Sequence, residues 1–231
     1  MTSPSYSIRR SAVRRGFDGE TFWAQARGGI IPAGEAGTDR DGPPTVIVTA
    51  QPALRSGSDI YYALSEWRST DLGESWVGPY AHPDTLGRRS DVEQPGVTVA
   101  ICDMTPQWHA ATGTLLATGQ TVRYRDDDAP IVARTRETAY ATYDPETHTW
   151  SPWSTLEMPD RPDFASAGAG STQRVDLEDG TILLPIYFKG ISDDWDANHS
   201  TTVVHCSFDG ETLRYLEHGN EMTVPEPRGL C

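Results

Sequence analysis

Residues 69–76 read Ser69-Thr70-Asp71-Leu72-Gly73-Glu74-Ser75-Trp76, a spacing of S-x-D-x-G-x-S-W. The side chain of Asp71 can accept hydrogen bonds from the backbone of its own turn, and Gly73 can adopt a positive φ. Trp76 can bury its ring beneath the turn. This stretch therefore predicts a hairpin between two strands that is capped by its own aspartate.

The same organisation repeats along the chain. Three turns rich in glycine or proline open strands that start at Thr45, Thr114 and Thr181, which are 69 and 67 residues apart (114 − 45 and 181 − 114). Each unit then closes with an aspartate-led turn, at Asp71, Asp144 and Asp209, and a fourth echo surrounds Asp18. Equal spacing on both measures predicts a repeated structural unit of about four strands.

The remaining patterns favour strands over helices. Glycine and proline together contribute 38 residues (21 + 17), spread along the chain, and no window shows an apolar stripe of helical period. The strand candidates share a high content of β-branched and aromatic residues: 45–51, 59–67, 114–124, 137–144, 181–188 and 201–208. The predicted fold class is all-β.

The stretch at Ser69 to Trp76 resembles the Asp-box, or BNR repeat, of the sialidase (neuraminidase) superfamily. This resemblance implies a sialidase-like β-propeller, six-bladed when complete, in which Ser69, Asp71, Gly73 and Trp76 have a structural role. A repeat of about 68 residues fits about 3.4 times into 231 residues. We therefore expect residues 1–231 to form a partial propeller of three to four blades, truncated at the C-terminus.

Composition limits the partners of this chain. The formal net charge of −14 argues against binding to nucleic acid or to an anionic membrane surface. No signal peptide or transmembrane segment is recognisable, so the sequence as it stands predicts a cytoplasmic protein, with secretion left open. Cys102, Cys206 and Cys231 lack metal-binding spacing and are expected to be reduced thiols. We expect no metal and no cofactor, and the oligomeric state stays open.

Candidate binding residues collect at the end of the blades opposite the aspartate-led turns, because the long polar loops must lie there. In an acidic chain the cations of this rim stand out. The candidate rim residues are Arg27, Arg55, Asp59, Asp103, Arg123, Arg136, Lys189 and His199. Arg27, Arg55, Arg123 and Arg136 are candidate substrate-binding residues, and Trp195, in a polar loop, is a candidate platform for sugar stacking.

The sialidase resemblance assigns roles within this rim. Arg55-Ser56-Gly57-Ser58-Asp59 is similar to the family segment in which an arginine grips the substrate carboxylate and an aspartate is the acid/base. The chain departs from the family at Gly29-Ile30-Ile31-Pro32, where Ile30 replaces the expected arginine. The family's tyrosine nucleophile and its remaining arginines come from later blades. The implied activity is exo-α-sialidase-like hydrolysis of a terminal anionic sugar.

Two alternatives remain open. His109 ends an inner strand and is predicted to point into the central channel, where it would be a catalytic base for a polysaccharide lyase or an atypical glycosidase on uronate-containing glycans. Arg123 or Arg136 would then stabilise the negative charge that develops. The third alternative is a non-catalytic propeller that binds glycans.

Overall fold

The computed structural model describes residue 8 and residues 10–56, 59–125, 129–131, 135–192 and 199–224. The first sheet contains four antiparallel strands in sequential order: β1 (Thr21–Ile31), β2 (Thr45–Leu54), β3 (Ser65–Ser69) and β4 (Val77–Ala81). β1 lies at one edge and β4 at the other. Such a meander is the unit from which propeller blades are built.

The second sheet is centred on a long hairpin of β6 (Val97–His109) and β7 (Thr114–Arg125). β9 (Thr138–Asp144) pairs with β7, and β10 (Thr149–Trp150) and β11 (Ser154–Thr155) pair with β9. Two short strands complete the sheet: β5 (Arg89–Ser90), which pairs with β6, and β8 (Ala129–Pro130), which pairs with β7.

In the third sheet, β14 (Ile182–Lys189) pairs with β15 (Ser200–Phe208), and β15 pairs with β16 (Leu213–His218) and β17 (Met222–Thr223). The innermost position is divided between β12 (Ser166–Gly168) and β13 (Val175–Asp176), which both pair with β14. This order repeats that of the first two sheets. The three sheets are therefore three successive blades.

Helical structure in the described ranges is short. The α-helix α1 spans Pro83–Leu86, and a 3-10 helix spans Pro162–Ala165. No helix within those ranges has the length and apolar content needed to cross a bilayer.

The blades are held together by apolar layers between neighbouring sheets. Ile31 and Ile47 of the first blade pack with Ile101 and Leu115 of the second in one buried cluster. A second cluster joins the second and third blades: Leu116, Tyr140, Ile182, Leu184 and Val204. Face-to-face burial of this kind explains the regular in-and-out pattern of the strands. The all-β prediction is confirmed, and the described part of the chain is a β-propeller fragment.

The strand candidates agree with the structure in five of six places. β2, β7, β9, β14 and β15 fall on the predicted ranges. The candidate at 59–67 was wrong in its first half, because β3 begins only at Ser65 and residues 59–64 form a loop with a single bridge between Tyr61 and Ala53. Cys102 and Cys206 are buried free thiols, and Cys231 lies outside the described residues.

The turn at Ser69–Trp76 is capped by the side chain of Asp71. Its Oδ1 atom accepts hydrogen bonds from the Ser75 amide (2.9 Å) and the Ser69 hydroxyl (2.7 Å), and the Gly73 amide donates to Ser69 Oγ (2.8 Å). Gly73 has φ +86°. Asp18, Asp144 and Asp209 accept bonds from the amides two and three residues later in the same manner. The conformation of all four turns therefore depends on hydrogen bonds between an aspartate and amides two to four residues later in the sequence.

Asp71→Asn is expected to reduce the pH dependence of stability. Hydrogen bonds from Ser75 and then Ser69 lower the pKa of Asp71 from 3.8 to about 2. A carboxylate with a depressed pKa in the folded state stabilises the fold above the unfolded pKa, and the contribution disappears as the pH falls from about 4 to about 2. Urea unfolding at pH 5 and pH 2.5 measures this difference. Asp84→Asn, which removes an exposed carboxylate outside the turn, is the control and should lose as much stability between the two pH values as wild type does. The same loss in Asp71→Asn would contradict the prediction.

Candidate functional site

The innermost strand of each blade is interrupted at one point. The register between β1 and β2 shifts between Ala24 and Arg27, and the register between β6 and β7 shifts between Cys102 and Thr105. The third interruption is the gap between β12 and β13. At each of these points one non-glycine residue has a left-handed backbone: Gln25 (φ 55°), Asp103 (φ 59°) and Ser171 (φ 58°). Backbone strain of this kind collects at functional sites.

Arg27 connects these three residues. Its Nη2 atom lies 3.0 to 3.1 Å from three side-chain oxygens: Gln25 Oε1, Asp103 Oδ1 and Ser171 Oγ. The Ser171 hydroxyl also donates to Asp103 Oδ1 at 3.0 Å. The side chain of Asp103 is only 7% exposed, whereas that of Arg27 is 27% exposed. The Arg27 guanidinium is therefore held by a buried carboxylate and is still partly exposed to solvent.

Asp59 lies beside this cluster and is the fourth described residue here with a left-handed backbone (φ 58°). Its Oδ1 atom accepts a hydrogen bond from the Tyr61 hydroxyl at 2.9 Å, and Tyr61 accepts one from Gln25 Nε2 at 3.1 Å. Burial, and the nearby Asp59 carboxylate, raise the pKa of Tyr61, so the phenol stays protonated and remains a donor. Tyr61 and Gln25 thus join Asp59 to Arg27.

The opposite side of the cluster is formed by the second and third blades. Gln120 Nε2 donates to Asp103 Oδ2 at 3.2 Å, and the Tyr187 hydroxyl donates to Gln120 Oε1. The Arg136 guanidinium lies 4.8 Å from the centre of the Tyr187 ring, a cation–π contact. A second arginine therefore borders the site, and its Nε atom has no hydrogen-bond partner among the described residues.

The backbone at the strand interruption around Asp103 leaves no room for a side chain at position 119, which is a glycine. A Cβ atom at Gly119 would lie 2.6 Å from the Cys102 carbonyl oxygen and 3.0 Å from the Asp103 carbonyl carbon. These are backbone atoms that cannot move without moving the bulge.

Gly119→Ala is therefore expected to destabilise the protein by about 1–3 kcal/mol, the usual cost of overpacking, and to displace Asp103. The free energy of unfolding in urea measures the cost. Gly28→Ala is the matched control, because its nearest contact would be an ordinary 3.8 Å. Equal stability of the two variants would contradict this account of the bulge.

Arg123, a predicted substrate-binding residue, is occupied by two carboxylates. Its Nε atom donates to Asp91 Oδ2 at 2.9 Å, and its two Nη atoms donate to the two oxygens of Glu137 at 2.8 and 2.9 Å. Burial lowers the pKa of Arg123, but the bonds to Glu137 and Asp91 outweigh it and raise the pKa overall. Arg123 is thus held at this rim in ion pairs with Asp91 and Glu137.

The remaining rim candidates have other contacts or lie beyond the described residues. The Arg55 guanidinium lies over the Phe17 ring at 5.7 Å, and its amide bonds to Glu20, so its described contacts are with the start of β1 and not with Asp59. His199 packs edge-on against Tyr187. Trp195 lies outside the described residues.

The prediction that His109 points into the central channel was wrong. His109 is 1% exposed, at the end of the blade that carries the aspartate-led turns. Its two ring nitrogens bond to Thr112 Oγ1 (2.8 Å) and to the Gly180 carbonyl (3.0 Å), and its ring packs edge-on against Phe208. His109 therefore packs the second blade against the third.

Four residues of the cluster were not singled out from the sequence: Gln25, Tyr61, Gln120 and Ser171. Gln120 carries a usable signal, since it is a polar residue in the middle of the apolar strand β7. The contact of Ser171 with Arg27 joins residues that are 144 positions apart in the sequence.

The described part of the chain has a sialidase-like β-propeller fold. No family model and no curated protein matches the sequence. Among solved structures, the chain is similar to the Hadza microbial sialidase Hz136, at 16% identity and a TM-score of 0.57, over 86% of this chain and 38% of that one. The chain thus spans well under half the length of that sialidase.

Two further similarities are more distant. The intramolecular trans-sialidase from Ruminococcus gnavus is 11% identical over 86% of this chain and 70% of its own, with a TM-score of 0.44. The leech intramolecular trans-sialidase is 12% identical over 84% of this chain and 50% of its own, with a TM-score of 0.42.

Proposed function

We propose that this chain forms part of a glycoside hydrolase resembling an exo-α-sialidase, which removes a terminal anionic sugar from a glycan. In this proposal the turn at Ser69–Trp76 is an Asp-box and its neighbours at Asp144 and Asp209 are degenerate copies. Such turns lie at the end of the blades opposite Arg27 and have a structural role only.

The observation that carries the proposal is the convergence of Arg27 and Asp59 on the three strand interruptions. The interruptions occupy corresponding positions in three blades and face a common centre, and each holds a strained residue. Arg27 and Asp59 are joined through Gln25 and Tyr61 by bonds of 2.9 to 3.1 Å. A cation and a carboxylic acid are thereby preorganised on a rigid scaffold, as binding and catalysis of an anionic glycoside require.

Each residue has a chemical role in this proposal. Asp59 is the general acid that protonates the glycosidic oxygen as the bond from this oxygen to the anomeric carbon breaks. The carboxylate left on Asp59 is then the base that takes a proton from the water that adds to the anomeric carbon. Arg27, with Arg136 on the other side, binds the sugar carboxylate; Arg27 replaces Arg55, the arginine that the sequence suggested. Tyr61 and Gln25 are positioning residues, because they hold Asp59 at a fixed distance from Arg27.

The test is turnover by the full-length protein on a panel of fluorogenic glycosides with the same leaving group: an α-sialoside, a β-glucuronide and a β-galactoside. The proposal predicts release from the α-sialoside and none from the galactoside. Faster release from the neutral galactoside would overturn the role of the cations. A protein that binds the sialoside without releasing the leaving group would instead be a glycan-binding propeller.

A further inference from the structure

The turn that carries Asp59, in the first blade, is closed by a side chain of the second blade. The Tyr124 hydroxyl, near the end of β7, donates a hydrogen bond to the Asp59 carbonyl at 2.5 Å and accepts one from the Tyr61 amide at 2.9 Å. Tyr124 is fully buried, at 0% exposure. A single hydroxyl group, 63 and 65 residues away in the sequence, therefore bonds to both ends of the turn 59–61.

Arg88 holds the same turn through a different backbone group. It lies between α1 and β5, in the connection from the first blade to the second. Its Nε atom donates a hydrogen bond to the Tyr61 carbonyl at 2.7 Å. Its guanidinium carbon lies 4.4 Å from the centre of the Tyr62 ring and 4.7 Å from the centre of the Tyr124 ring, which makes two cation–π contacts. Tyr124 and Arg88 therefore contact each other and together bond to the amide and the carbonyl of Tyr61.

These contacts determine where the Asp59 carboxyl group lies. The backbone of Asp59 is left-handed, with φ 58°, and a non-glycine residue keeps such a conformation only where its surroundings impose it. The Asp59 Oδ1 atom accepts a hydrogen bond from the Tyr61 hydroxyl at 2.9 Å. Tyr124 thus bonds to the strained residue itself, and Tyr124 and Arg88 hold the residue whose phenol orients the carboxyl group.

We infer that Tyr124 and Arg88 are positioning residues for Asp59, through which the second blade sets the place of the acid in the first. This inference rests on the proposed function. A general acid transfers its proton only within hydrogen-bond reach of the glycosidic oxygen, about 2.6–3.2 Å. A displacement of about 1 Å costs up to about 100-fold in rate. Tyr124 acts without touching the substrate, because it is buried.

The first experiment compares two substrates of the full-length protein, 3′-sialyllactose and a fluorogenic aryl α-sialoside. A sugar hydroxyl needs a proton from the acid in order to leave, whereas an aryl oxide leaves with little help, and kcat/KM covers the steps up to this departure. Tyr124→Phe removes only the hydroxyl group and is expected to lower the ratio of kcat/KM for sialyllactose to kcat/KM for the aryl sialoside about 10- to 100-fold. Tyr143→Phe, which removes a buried hydroxyl at the opposite end of the second blade, is the control and should keep the wild-type ratio.

A second variant covers the case in which Tyr124→Phe does not fold. Arg88 is only partly buried, and Arg88→Lys keeps its charge but loses the flat guanidinium that contacts both rings. It is expected to lower the same ratio about threefold or more. Asp59→Asn, the reference for loss of the acid, should lower the ratio at least as far. A ratio that falls in Asp59→Asn but stays at the wild-type value in the folded positioning variants would overturn the inference and leave the proposed function standing.

The second experiment does not depend on turnover. Hydrogen–deuterium exchange followed by mass spectrometry reports the opening of the turn through peptides that cover residues 59–64. These peptides are expected to exchange about 10-fold faster in Tyr124→Phe than in wild type or in Tyr143→Phe. If no glycoside is hydrolysed but exchange is faster in this way, the proposed function fails and the hold of the second blade on Asp59 stands. Equal exchange in all three proteins would overturn the inference, whatever their activity.

Discussion

Replacing Asp59 with asparagine is expected to lower kcat for the fluorogenic α-sialoside by about 10²- to 10⁴-fold, the range for loss of a general acid–base group. Asparagine tolerates the left-handed backbone that this position requires (φ 58°). It can also accept the hydrogen bond that Tyr61 donates at 2.9 Å. The substitution therefore removes the titratable proton and keeps the local structure.

Asp41→Asn is the matched control for this prediction, since Asp41 is an exposed aspartate between β1 and β2, at the opposite end of the blade. It should turn over the sialoside at the wild-type rate. Unfolding midpoints of both variants show whether the fold is intact. Turnover by a folded Asp59→Asn protein within about threefold of wild type would exclude Asp59 as the acid.

Arg174→Leu is expected to have the largest effect on stability. The Arg174 side chain is 1% exposed and lies in the gap between β12 and β13. It donates to the Leu116 carbonyl at 2.7 Å, to the Gln107 carbonyl at 2.8 Å and to Asp176 at 2.8 Å. One guanidinium thus joins the third blade to both long strands of the second.

Removal of this guanidinium leaves two carbonyl groups and a carboxylate without their partner, at a cost of about 3–5 kcal/mol. That is a large part of the total stability of an ordinary domain, about 5–15 kcal/mol. Urea unfolding monitored by tryptophan fluorescence measures the loss. Arg214→Leu removes an exposed pair with Asp209 and should leave the midpoint nearly unchanged. Similar midpoints for Arg174→Leu and Arg214→Leu would contradict this role.

Features that depend on neighbouring residues could be predicted from the sequence. The aspartate-led turns need only Asp71 or Asp144 and the next few amides, so their spacing identified the blades and their two ends. The strands β7 and β14 contain β-branched and aromatic residues between turn-forming residues, which is enough to locate them. The loops opposite the turns share one end of each blade, and Arg27, Asp59 and Arg136 lie at that end.

Features that depend on distant partners could not be predicted in this way. Arg123 is a cation on the rim, but Asp91 and Glu137, which neutralise it, are 32 and 14 residues away in the sequence. His109 was assigned to the channel because it ends an inner strand, and its true direction is set by packing against Phe208 of the next blade. The left-handed residues Gln25 and Ser171 have no local signature, since their conformation depends on the bulges in which they lie.

The affinity of the site for an α-sialoside, measured with and without Arg27, shows whether this cation binds the anionic sugar. Calorimetric titration compares full-length Asp59→Asn with the double variant Asp59→Asn and Arg27→Gln, in which glutamine removes the charge of the arginine. We predict that Kd increases about 10- to 100-fold in the double variant, as expected for loss of a charge-assisted hydrogen bond. The same Kd in two proteins with the same unfolding midpoint would show that the anionic sugar binds elsewhere.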